Sequence, residues 1–136
     1  MTEKMKIIDF LRENQLDAIF VQKDENCRYL SKFTGSDSYL LLTKEELYLL
    51  TDSRYTEQAR KEAADYTVVD YKGHLAEIVA KLAGEYHIKT MGVETVFSYQ
   101  MYLSFHKYMP NIEFRFSQID RLRQIKSEEE ISCIKE

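Results

Sequence analysis

The chain has 136 residues, 44% hydrophobic and 31% charged, a balance that supplies the core of one ordinary domain and excludes intrinsic disorder. The longest apolar runs, Tyr39 to Leu42 and Leu47 to Leu50, are far too short to cross a bilayer, so no membrane partner is expected. The net charge of −4, with the single basic stretch of Arg115, Arg121, Arg123 and Lys126 read as solvated surface, argues against binding of nucleic acid.

In chain order, residues 3–14 carry Met5, Ile7, Ile8 and Leu11 at helical spacing and predict a helix. The run from Asp17 to Val21 is short, apolar and β-branched, as in a buried strand. Asp24 is placed to cap a short helix over Asn26 to Phe33, which the Thr34-Gly35-Ser36 turn ends. Residues 38–43 and 46–51 form an antiparallel hairpin pattern, and the absence of Gly or Asn at Lys44-Glu45 predicts a connection slightly longer than two residues. Asp52 or Ser53 caps a helix from Arg54 to about Ala64. Tyr66 to Tyr71 is β-rich, and His74 to Tyr86 repeats Leu75, Ile78, Val79, Leu82 and Tyr86 on one helical face. Thr90 to Glu94 reads as a strand. Ser98 caps a helix to about Tyr108, broken by Pro110-Asn111. Glu113 to Ser117 alternates, which predicts a half-exposed strand with Phe114 and Phe116 inward. This alternation of patterns gives an α/β fold with a mixed six-stranded sheet and helices on both faces.

Ser127 and Glu130 form a capping box, followed by Ile131 and Ile134, and the sequence stops two residues later. A helix that short is marginal alone, so we expect a longer helix leading into a further domain. Cys27 and Cys133 have no paired spacing, and Glu3, Lys4 and Lys6 stand where a leader would be apolar. Both features point to reduced thiols in the cytoplasm.

Few residues stand in spacings that carry chemistry. His74, His87 and His106 share no metal-ligand spacing with each other or with the cysteines, and Glu128, Glu129 and Glu130 stabilise a helix N-terminus. The four glycines are isolated, without a phosphate-cradling loop, and no GxSxG elbow occurs. No catalytic and no metal-binding residue is assigned. Two polar stretches lie where the sheet pattern breaks, residues 26–36 and residues 50–55, the second at the carboxyl end of a strand where α/β sheets gather ligands. Their plain structural reading is an N-cap at Asp52, an Arg54 paired with a nearby carboxylate, and a turn at Thr34-Gly35-Ser36.

Those stretches carry a family resemblance. Asn26, Tyr29-Leu30 and Phe33-Thr34-Gly35-Ser36 resemble the N-x-x-YL-x-GF-TGS pattern near the start of Xaa-Pro peptidases. Thr51-Asp52-Ser53-Arg54-Tyr55 with Gln58-Ala59 is similar to their TDSRY…QA segment, and Arg123, Lys126-Ser127 and Glu130-Ile131 resemble the passage into their catalytic half. The group is the Xaa-Pro dipeptidase, aminopeptidase P and creatinase family. Lys32 departs from it, standing where the pattern has glycine. The resemblance implies a noncatalytic amino-terminal domain of ribonuclease H-like fold over residues 1–125, with residues 126–136 opening the helix into a catalytic domain. That domain would hold two divalent metal ions, of manganese or cobalt type, and no cofactor would bind the amino-terminal part. The resemblance further implies a homodimer, contact with the chain's own catalytic domain, and short proline-containing peptides as substrates. Asn26, Tyr29, Phe33, Asp52, Arg54 and Tyr55 become candidates for the substrate entrance or dimer contact. Two alternatives share the pattern: a stand-alone peptide- or protein-binding module of the same fold, and a creatinase-type amidinohydrolase.

Overall fold

A computed structural model describes residues 3–35 and 38–119. The capping box at Ser127, the expected boundary at 125–126 and most of the basic stretch lie outside the described residues. The elements follow in the order α1 (Glu3–Glu13), β1 (Ala18–Val21), α2 (Asp24–Ser31), β2 (Tyr39–Thr43), β3 (Leu47–Thr51), a 3-10 turn (Ser53–Tyr55), α3 (Thr56–Glu62), β4 (Thr67–Asp70), α4 (Leu75–Glu85), β5 (Thr90–Val93), α5 (Tyr99–Tyr108) and β6 (Glu113–Phe116). The six strands form one sheet in the order β4-β3-β2-β1-β5-β6. β2 is antiparallel to both β1 and β3, while β3–β4, β1–β5 and β5–β6 are parallel. The mixed sheet expected from the sequence is therefore present, and five strands end on the same edge.

All four residues of β1 are buried, which is why its sequence reads as an unbroken apolar run rather than an alternation. Ile19 and Val21 join a cluster with Ile7, Leu11, Leu30 and Ala59 from α1, α2 and α3. Ala18 and Phe20 join the opposite cluster with Val79, Ala83 and Phe105 from α4 and α5. Helices therefore cover both faces. Gly92 lets β5 pass between its neighbours: a Cβ there would lie 2.8 Å from Leu16 Cδ1 and 3.0 Å from Ser117 Oγ.

The hairpin runs from Thr43 to Leu47 through Lys44–Glu46, closed by Thr43, whose N–H donates to the Glu46 carbonyl and whose hydroxyl accepts the Glu46 N–H. Ser98 caps α5 as expected, accepting the Met101 N–H at 3.1 Å. Two expectations need correction. Asp24 lies inside the first turn of α2, with Lys23 at the N-cap position and no side-chain cap of its own. Phe116 does not point into the core: it is 72% exposed, because β6 is the last strand and its end projects past the helix layer.

Candidate functional site

The two motif stretches converge at the edge where β1, β3, β4 and β5 end. Asp52 follows β3 in extended backbone, and its carboxylate accepts the Arg54 N–H at 3.0 Å, which starts the 3-10 turn. The same oxygen takes Arg54 Nε at 3.1 Å. The Arg54 backbone N–H first, then its guanidinium, hold the Asp52 carboxyl below the usual carboxylate range. The Arg54 guanidinium also lies 5.4 Å from the centre of the Tyr55 ring. Tyr55 in turn meets Phe33 edge-on at 6.5 Å. Phe33 is buried in the core, so it supports Tyr55 from beneath while Arg54, with a side chain 68% exposed, forms the outer surface.

A second clasp joins the same stretches. Glu62 on α3 accepts the Thr34 N–H at 2.8 Å and the Thr34 hydroxyl at 2.9 Å, and Gln58 donates to both partners. The Thr34 backbone N–H, then its hydroxyl, hold the Glu62 carboxyl below its ordinary range. Gly35 sits directly on its neighbour's ring, where a Cβ would fall 2.3 Å from Phe33 Cζ. Thr34 and Gly35 thus have a mechanical part in the motif.

Asn26 and Tyr29 belong to a different group, on α2. Asn26 is buried and donates through Nδ2 to Glu94 Oε2 at 2.6 Å. The other oxygen of Glu94 accepts the Gln22 N–H and, at 2.7 Å, the Lys23 N–H. A carboxylate just past β5 therefore fastens the start of α2, holding the two backbone N–H groups that precede the helix and the Asn26 side chain of its first turn. Glu94 is 2% exposed and escaped the sequence reading, since a glutamate after a strand carries no local signature; its position beside the apolar run of β5 was the one hint. Tyr29 is half-buried, with the Lys32 ammonium 5.2 Å from its ring centre. Lys32 ends α2 at φ 68° and ψ 6°, the left-handed conformation that glycine favours, so the backbone path is kept without glycine.

The chemistry available is recognition. A guanidinium beside an aromatic ring suits a carboxylate or a peptide terminus. The Cys27 thiol is pushed up to about 12 by burial, then by Glu94 and Asp24, and is no nucleophile at neutral pH. Among the described residues no three His, Cys, Asp or Glu side chains converge to hold a metal ion, so these residues form no cradle for a two-metal centre. A separate cleft of about 420 Å³, lined by Lys4, Leu30, Lys32, Leu47 and Glu62 among others, includes none of the six candidate residues.

The family model for the creatinase/prolidase N-terminal domain matches residues 5–125. The chain belongs to the creatinase/prolidase amino-terminal domain family. Within that family, the chain is 33% identical to a Xaa-Pro dipeptidase of Pyrococcus horikoshii over 98% of its own length and 38% of the relative's. It is 30% identical to the uncharacterized peptidase YqhT of Bacillus subtilis, over 89% of this chain and 35% of that one. The chain thus spans little more than a third of these curated relatives. Among solved structures, the N-terminal domain of the cytoplasmic peptidase PepQ from Mycobacterium tuberculosis matches with TM-score 0.76 at 28% identity, over 85% of this chain and 92% of that one. A Xaa-Pro dipeptidase from Bacillus anthracis matches with TM-score 0.74 at 31% identity, over 84% of this chain and 33% of that one. The creatinase/prolidase domain has no helix among its described residues that is long and apolar enough to cross a membrane.

Proposed function

We propose that this creatinase/prolidase domain is the noncatalytic amino-terminal part, over residues 1–125, of a cytoplasmic metal-dependent Xaa-Pro peptidase that hydrolyses the bond before proline. Residues 126–136 open the helix into its catalytic domain, which binds two divalent ions. The amino-terminal domain supports the homodimer and shapes the entrance to the active site. The observation that carries this reading is the family match across residues 5–125 in a chain that covers 38% of a Xaa-Pro dipeptidase. At the entrance, Arg54 recognises a peptide carboxylate, oriented by Asp52 and backed by Tyr55 on Phe33, while Asn26 and Tyr29 keep α2 in place.

The test is hydrolysis of an Xaa-Pro dipeptide with manganese or cobalt. The chain of 136 residues alone gives no turnover above background, because it supplies no metal-activated water. Turnover by this chain overturns the reading. So does an encoding reading frame that continues past Glu136 without the two Asp, one His and two Glu of the peptidase ligand set, or that stops there. Either outcome supports a stand-alone binding module instead.

A further inference from the structure

The outer edge of β6 presents a self-complementary order of side chains. β6 is the last strand of the sheet, and among the described residues no strand lies on its far side. The Glu113 N–H donates to the Lys89 carbonyl and the Ser117 N–H to the Val93 carbonyl, both at 2.8 Å. Odd-numbered positions therefore point at β5. By the alternation of a strand, Phe114 and Phe116 turn their N–H and C=O groups outward, and Ile112 turns its carbonyl the same way. Such an edge is a template for another chain.

The side chains along it are chemically symmetric about Phe114. Glu113 precedes it and Arg115 follows; Ile112 and Phe116 lie one step further out on the same face as Phe114. An antiparallel copy centred on Phe114 sets Glu113 opposite the partner's Arg115, Arg115 opposite the partner's Glu113, and Phe116 opposite the partner's Ile112. Directly opposed charges of unlike sign stabilise a strand pair. Within one chain the two charges already meet, Arg115 Nε to Glu113 Oε2 at 2.5 Å, both largely exposed, so a partner needs only to exchange them.

The helix above completes the surface. Met101, Ser104, Phe105 and Tyr108 of α5 face α4 across a groove. Tyr99, 74% exposed, and Leu103, 48% exposed, lie one turn apart on the side away from α4, next to Tyr102, whose ring packs on Phe114 of β6. Pairing adds one strand spacing of about 4.8 Å between β6 and its copy, which leaves the two α5 helices on the same face of the joined sheet. We infer that the domain dimerises through antiparallel β6–β6 pairing centred on Phe114, which joins two sheets into one and buries the exposed stripe of α5 with Phe116. This specifies the dimer contact within the proposed function and rests on that part of it.

Sedimentation equilibrium of the 136-residue chain tests the pairing. The wild-type chain is expected to be a reversible dimer. Arg115→Glu places like charges opposite each other and raises the dissociation constant about tenfold or more. The exchange Glu113→Arg with Arg115→Glu restores it to near wild type. Phe116→Pro removes an outward N–H that β5 does not use, and weakens the dimer while circular dichroism stays native. A monomer at millimolar concentration overturns the inference together with the dimer contact. A dimer unmoved by all these variants overturns the β6 pairing and leaves dimerisation standing; the peptidase reading is judged separately by its turnover test.

Discussion

Lys32 shows how a single residue can obey a family's backbone while breaking its sequence pattern. Its left-handed φ of 68° is the conformation glycine adopts without cost, and a side chain with a Cβ is strained there. The position ends α2, with the Lys32 N–H on the Arg28 carbonyl at 2.9 Å and the ammonium on the Tyr29 carbonyl at 2.9 Å. Lys32→Gly is therefore expected to stabilise the domain by about 1 kcal/mol, read as a higher urea midpoint at unchanged slope. A lower midpoint would mean that the ammonium contacts outweigh the backbone strain. Ser98 and Asp52 were legible as caps because the cap and its helix are neighbours in sequence. Glu94 was not legible: its partners at Gln22, Lys23 and Asn26 lie about seventy residues away, and only the parallel pairing of β1 with β5 brings them together.

At the level of elements, the joint between the α2–β2 loop and α3 rests on the Glu62 carboxylate. Its pKa in the folded chain is depressed, so it contributes stability above the unfolded carboxylate range, and that contribution is lost as pH falls through the folded value. Hydrogen exchange at the Thr34 amide is expected to speed up beyond the intrinsic pH dependence only as pH falls below the usual carboxylate range, and Glu62→Gln to show the faster exchange already at neutral pH. Identical protection in both proteins across the acid range would remove Glu62 from the joint. The helices and strands were readable in outline because their periodicities are local. Phe116 was misread because alternation gives the face of a strand but not how far the layer above it extends. Phe114 lies under the rings of Phe97 and Tyr102, whereas Phe116, two residues on, passes beyond them.

For the molecule as a whole, the candidate entrance depends on two separate stretches meeting at one edge of the sheet. Arg54 is exposed, Asp52 is half-buried, and their ion pair is of the surface kind worth less than about 1 kcal/mol, so Arg54→Ala is expected to leave the melting temperature nearly unchanged. In the complete peptidase it should lower kcat/KM for an Xaa-Pro dipeptide about tenfold, the loss of one charge-assisted hydrogen bond. Equal kinetics in the variant would make Arg54 a structural partner of Asp52 and nothing more.

The amino-acid sequence alone determined the α/β class, the strand and helix succession, and the motifs that place the chain in its family, since each is written in spacings of a few residues. Tertiary structure decided which strands are neighbours, that Glu94 fastens α2, that Phe33 supports Tyr55, and that β6 is the outermost strand among the described residues. Those facts depend on contacts between residues far apart in the chain, and no local pattern of polarity or propensity encodes the distance between them.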